Sequence, residues 1–175
     1  MTTKLMGQKV QRVEDQRFLR GKGRYADDVA VSPDTLHCAV LRSPHAHARI
    51  LDIDVSAVLD VEGVHAVWTY DDLGPLAPAM AEPLPLLIPH PALTHGRTQY
   101  ALAKDEVNYV GEAIAFVVAA DRYLAEDALG RIDVSYEILP AVVGIDAARE
   151  ARHLVHPDVP GNVAARLEQS TGDVE

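Results

Sequence analysis

The densest run of chemically capable side chains is Arg42-Ser43-Pro44-His45-Ala46-His47-Ala48-Arg49. On an extended segment His45 and His47 stand at i and i+2 and project to one side, which is how a metal site begins. Structural zinc takes four ligands, and no third ligand lies nearby in sequence, so metal binding is the weaker reading. Two guanidinium groups around a Ser-Pro turn fit an interface or a structural hydrogen-bond cluster better. Asp52 and Asp54 are the carboxylates within reach of Arg42 or Arg49.

Other candidate chemistry fails on context. Gly21-Lys22-Gly23 hints at a phosphate loop, but no clear strand precedes it, the third glycine is missing and no helix opens after it, so the glycines read as turn residues. The adjacent acids Asp27-Asp28 and Asp71-Asp72 face apart on any regular element and make poor acid/base pairs; Asp72 reads as a cap or turn. Asp105-Glu106 reads as a solvated loop, as do His90 and His95. The sequence contains no GxSxG, HExxH or CxxC, so residue chemistry alone yields no active site. The single cysteine, Cys38, excludes an internal disulfide or a multi-cysteine metal site. Within LHCAVL it reads as a small buried hydrophobe.

A chain of 175 residues fits one domain. Its formal net charge of −10 disfavours nucleic acid as a partner. No apolar run approaches the roughly 20 residues that cross a bilayer, and no signal-peptide core opens the chain, so no membrane association is expected and the cytoplasm is the default compartment. Seven of the first 24 residues are basic, consistent with a solvated arm or with contact to an acidic surface.

The elements that position these residues follow from periodicity. Residues 1–34 read as an extended, glycine-punctuated arm. Strands are expected at Leu36–Leu41, Ala48–Val55, Val64–Thr69, Glu112–Ala120 and Ile132–Ile138. In the second of these, Leu51, Ile53 and Val55 share one face; the fourth is apolar throughout and reads as buried on both faces. Ser56 reads as the cap of a short helix ending at Gly63, and Asp121 as the cap of a helix from Arg122 to about Arg131. A last helix is expected over Asp146–Ala151. The proline-rich stretch 74–96 is expected to be a long, partly extended excursion. The pattern gives a mixed α/β or α+β domain.

Ordered blocks along the chain carry a resemblance: RVEDQRFLRGKGRYADD, LHCAVLRSPHAHARI, GVHAVWTYDDL, LAKDEVNYVGEAIAFVVAADRYLAEDAL, VSYEILPAVV and HPDVPGN. Together they resemble the N-terminal α/β hammerhead domain of the xanthine dehydrogenase, aldehyde oxidase and carbon monoxide dehydrogenase family of molybdenum hydroxylases. Asn108, Ala113 and Gly130 depart from the family pattern. The resemblance implies an α/β hammerhead over 1–152, with 1–34 as its arm. It implies 153–175 as a linker toward a molybdopterin-binding domain that is absent here, GNVAARLEQSTGDVE resembling its lead-in. It further implies a molybdenum–pterin cofactor in the later domains, with iron–sulfur clusters and FAD in partner domains or subunits. No catalytic, cofactor-binding or metal residue transfers to this chain. Its expected role is to pack against the molybdopterin-binding domains and an iron–sulfur subunit, with an FAD subunit as a further partner. Arg42, Ser43, Pro44, His47 and Arg49 are the expected contact. The rival reading is a standalone binding or assembly module sharing the fold.

Overall fold

The computed structural model describes residues 6–7, 9–29, 32–85, 89–93, 95 and 98–172. Lys4 of the basic arm, Leu86 to Ile88 of the excursion and the final residues of the expected linker lie outside them. The backbone falls into two units, Met1–Thr35 and Leu36–Glu175.

The first unit contains a short helix where an extended arm was expected. This helix, α1 (Asp15–Leu19), buries none of its residues. It stops at Gly21, whose φ of +65° is open to glycine at no steric cost. Lys22 N–H then reaches back to Arg17 O at 2.9 Å, the bond that closes a glycine-terminated helix. Gly21 is thus a helix stop, as the turn reading of the glycines required. Past it, Phe18 and Tyr25 stack at 6.0 Å.

The second unit is built on two three-stranded antiparallel sheets. In one, β5 (Ala113–Ala119) lies between β1 (His37–Arg42) and β3 (Val64–Trp68); in the other, β2 (Ala48–Asp54) lies between β4 (Glu106–Val107) and β6 (Asp133–Ile138). As the unbroken apolar run of β5 demands, five of its seven residues are buried. On one side of β5, Val117 packs with Val58 of α2 (Ser56–Leu59), Val67 of β3 and Ala128 of α4 (Arg122–Leu129). A second cluster joins Ala39, Ala119 and Ala125, small residues that let α4 lie close on the sheet. Asp121 starts α4 as expected, its carboxylate accepting Leu124 N–H at 2.9 Å.

Two expectations about burial are overturned. Ala39 takes the core side of β1, so Cys38, one residue earlier in an alternating strand, is exposed rather than buried. In β2 the register slips between Ile50 and Asp52, placing a bulge at Leu51. The bulge brings Ile50 and Ile53 to the same core against Ala48, Val107, Ile114 and Tyr136, and leaves Leu51 exposed. Uninterrupted alternation would have put Leu51 inside.

The excursion is more ordered than its prolines suggested. α3 (Tyr70–Leu76) opens on Thr69, whose N–H and hydroxyl both bond the Asp72 carboxylate at 2.8 and 2.9 Å, and it runs through Pro75. Further along, the excursion is tied to the C-terminal stretch, where Leu93 and Ala165 form an antiparallel bridge and Arg166 N–H bonds Ala92 O at 2.9 Å. Asn162, at φ +57°, accepts Val155 N–H and donates to Ala148 O and His153 O. The stretch after α5 (Ile145–Glu150) is therefore bonded into the unit as far as residue 166.

Two substitutions test this packing. Gly63 sits at φ +86°, and a Cβ there would stand 2.7 Å from Leu124 Cδ2; Gly63→Ala is expected to cost about 1–3 kcal/mol of stability. Ile114, fully buried between the sheets, is expected to cost about 2–5 kcal/mol when cut to alanine. Both are read as a lower denaturant midpoint at unchanged slope.

Candidate functional site

Leaving β1, the chain passes to the second sheet through Ser43–His47, a bent segment and not a strand. The loop between β4 and β5, which joins the two sheets a second time, holds it there. Ser43 N–H bonds Glu112 O at 2.9 Å, Gly111 N–H bonds Ser43 O at 2.8 Å, and Arg42 Nη1 bonds Gly111 O at 2.9 Å. The Ser43 hydroxyl accepts from His45 N–H at 3.0 Å and donates to His45 O at 2.9 Å, which closes the Ser-Pro turn.

The bend separates the two histidines. His47 Nδ1 donates to Pro140 O at 2.9 Å, because a carbonyl only accepts. His45 instead meets the Tyr136 ring edge-on at 4.7 Å. The two rings do not project together, so the geometry that made them a metal candidate is lost. Among the described residues no three His, Cys, Asp or Glu side chains gather as a metal would need.

In place of Asp52 or Asp54, the arginines find other partners. Arg42 goes to the Gly111 carbonyl. Arg49 bridges Glu137 of β6 and Glu106 of β4, the latter at 3.6 Å. Asp54 instead accepts Ser56 N–H at 2.8 Å at the start of α2; its hydrogen bonds from Ser56 hold its carboxyl below the usual range. Glu106, expected in a solvated loop, is a strand residue whose carboxylate also faces His47 Nε2 at 3.7 Å. That contact is an ion pair only when the imidazole carries a second proton. Of the five expected interface residues, Arg42, Pro44 and Arg49 are exposed; Ser43 and His47 are only 2% and 8% exposed.

Sequence reasoning passed over Glu112, which is 7% exposed. Its carboxylate accepts Asn108 N–H and so folds the β4–β5 loop onto itself. Burial pushes the carboxyl up, against the pull of the Asn108 and Tyr109 N–H groups. Beside it opens a cleft of about 400 Å³ whose lining includes Tyr100, Lys104, Asp105, Glu106, Asn108 and Glu112. The only sequence signal for this cleft was the pairing of a charged run, Lys104 to Glu106, with a glycine turn at Gly111.

The family profile described as aldehyde oxidase and xanthine dehydrogenase, a/b hammerhead domain, matches residues 20–140. The chain is 37% identical to the nicotine 6-hydroxylase large subunit of Paenarthrobacter nicotinovorans, across 100% of this chain and 21% of that one. It is 44% identical to the carbon monoxide dehydrogenase large chain of Afipia carboxidovorans, across 89% of this chain and 17% of the other. Among solved structures, quinoline 2-oxidoreductase from Pseudomonas putida 86 aligns with a TM-score of 0.78 at 40% identity, covering 91% of this chain and 20% of that one. A Cu,Mo-CO dehydrogenase in its carbon monoxide-reduced state aligns with a TM-score of 0.66 at 42% identity, covering 89% and 17%. The chain spans about a fifth of the length of these relatives.

Two measurements probe the corner. Ser43→Ala leaves the part-buried His45 backbone groups without their hydroxyl partner and is expected to cost about 1–3 kcal/mol. A folded-state Glu112 raised above its ordinary value of 4.5 binds its proton more tightly folded than unfolded, so its contribution to stability falls as pH rises above that value. Urea melts between about pH 4 and pH 7 should therefore show wild type losing stability relative to Glu112→Gln as pH rises.

Proposed function

The chain belongs to the aldehyde oxidase and xanthine dehydrogenase a/b hammerhead domain family, and from that membership we propose that it is the structural and subunit-interface module of a molybdenum-dependent hydroxylase or dehydrogenase large subunit, carrying none of the catalytic groups itself. The observation that carries this reading is the match of nearly the whole chain to about a fifth of large subunits such as the nicotine 6-hydroxylase and carbon monoxide dehydrogenase ones. The substrate is of the kind those enzymes oxidise, a heterocycle, an aldehyde or carbon monoxide. The module packs against molybdopterin-binding domains and an iron–sulfur subunit, with an FAD subunit as a further partner, in the cytoplasm. No helix among the described residues is long and apolar enough to cross a membrane.

The molybdenum–pterin group that this membership implies does not fit the cleft beside Glu112. Pterin phosphates need donors and positive charge, whereas Asp105, Glu106 and Glu112 bring three carboxylates against Lys104. The Gly21-Lys22-Gly23 turn is spent on closing α1. The chemistry is assigned to domains beyond this one. The contact face proposed at the corner is the exposed set Arg42, Pro44 and Arg49, with Ser43 and His47 shaping it from beneath. The stretch 153–175 is proposed to lead toward the molybdopterin-binding domain.

The test is the size and metal content of the native polypeptide. An antibody raised against residues 36–172 is expected to detect, in source-cell extract, a band about five times the mass of this chain, and to co-precipitate molybdenum. A band at the mass of this chain, free of molybdenum, would instead establish the standalone binding module.

A further inference from the structure

The cleft beside Glu112 has a neighbour. A smaller depression of about 180 Å³ is lined by Val110, Ala141, Val142, Val143, Val155 and His47. Asn108 and Tyr109 line both hollows, so they form a shared wall between an acidic, aromatic compartment and an apolar one. We propose that these two hollows form one docking site for an extended polypeptide segment that presents an arginine beside an aliphatic residue. The proposal rests on reading the chain as a docking module and names the chemistry of what docks.

The acidic compartment selects the arginine. Its three carboxylates, on Asp105, Glu106 and Glu112, face one ammonium group, on Lys104. That ammonium is drawn to ring faces, 5.5 Å from the Tyr70 centroid and 5.9 Å from that of Tyr100. Glu106 is shared with Arg49 at 3.6 Å, but Arg49 turns its other nitrogen to Glu137. The wall itself carries an unmet need: Asn108 Oδ1 is buried without a hydrogen-bond partner. The unmet Asn108 Oδ1 is an acceptor and carboxylates outnumber the ammonium in the lining, which calls for a cation with many donors. A guanidinium offers five in a plane and stacks on tyrosine, which an ammonium does not.

The apolar compartment has room for an aliphatic side chain, and its rim is uncovered: Val143 is 78% exposed and Val110 64%. An apolar hollow that shares a wall with a charged one fits neighbouring side chains of one segment, not two separate ligands. Metal ions are not the occupant, since the described residues gather no three-ligand cluster. Anions meet the wrong charge.

The test is a proton–nitrogen NMR titration of the intact 175-residue chain with acetyl-Val-Arg-amide. Saturable shifts are expected at the Asn108 side-chain amide and at the backbone amides of Tyr109, Glu112 and Val143, with affinity in the millimolar range typical of a dipeptide (about 1 mM). Acetyl-Val-Lys-amide is expected to bind about tenfold more weakly, acetyl-Val-citrulline-amide not measurably, and acetyl-Gly-Arg-amide severalfold more weakly than the valine peptide. Val143→Asp, at an exposed position, should remove the valine advantage while leaving arginine selectivity intact; Asn108→Leu should remove selectivity for arginine over lysine. Equal binding of the lysine peptide, equal binding of the glycine peptide, or shifts confined to other residues would overturn the proposal. Its failure leaves the size and molybdenum content of the native polypeptide unaffected, so the two readings fail separately.

Discussion

The backbone exchange between Ser43 and the Gly111–Glu112 turn is the constraint on which the second unit depends. Ser43 N–H and C=O are both used on that turn, so the segment leaving one sheet is clamped to the loop that enters the same sheet's central strand. β1 and β5 are thereby paired beyond the end of the regular ladder. β2 and β4 begin on the other side of the same corner, paired through Ala48 and Val107, with Ile50 N–H bonding Asp105 O at 2.8 Å. The fully buried residues Ala48, Val107 and Ile114 are the first residues past the clamp on each path. A buried polar junction of this kind is tolerable only when its groups are satisfied. The Ser43 hydroxyl, the Glu112 carboxylate and the His47 Nδ1–H all serve that end.

Much of the polar cluster from Arg42 to Arg49 is consequently turned inward. The types of residue that suggested an interface are those a sharp, buried crossing needs: a hydroxyl to close the turn, an imidazole to reach a carbonyl 93 residues away in sequence, one guanidinium to hold the Gly111 carbonyl and another to gather carboxylates from two neighbouring strands. What remains for an outside surface is the arginine edges and Pro44. The acidic cleft is lined by the β4–β5 loop itself, where the Glu112 carboxylate completes the turn and Asn108 is left with a spare acceptor.

The elements were legible wherever one physical signal dominated. β5 declared itself through an unbroken apolar run and α4 through the Asp121 cap, while Asp72, read as a cap or turn, holds the start of α3. Legibility failed where a long-range pairing overrode local pattern. The Leu51 bulge is invisible in an alternating string because its cause is the register with β6. Cys38 is exposed because Ala39 was needed beneath α4, and a Cys-Ala pair gives no local sign of which faces in. Glu106 looked solvated beside Asp105, yet β4 exists only because β2 offers it two pairing positions. The cleft joins residues from both ends of the β4–β5 loop with the 98–100 stretch, and only the fold brings those together. The family blocks, by contrast, were readable without any of this, because they record side-chain identity along the chain and not contacts.

The placement of β5 and β2 at the centres of their sheets sets an order on synthesis. A chain leaving the ribosome presents β1, β2 and β3 long before β5 emerges to join the first to the third. Until then β1 and β3 have no ladder, and the apolar faces that will meet β5 stay open to solvent or to a chaperone. The first sheet can close only once residue 119 has cleared the tunnel, the second only after residue 138, and the Leu93–Ala165 bridge comes last. Most of the contacts that hold the unit therefore form late and together, so a pause or truncation before β5 releases a chain with two edge-ready strands and no native partner for either.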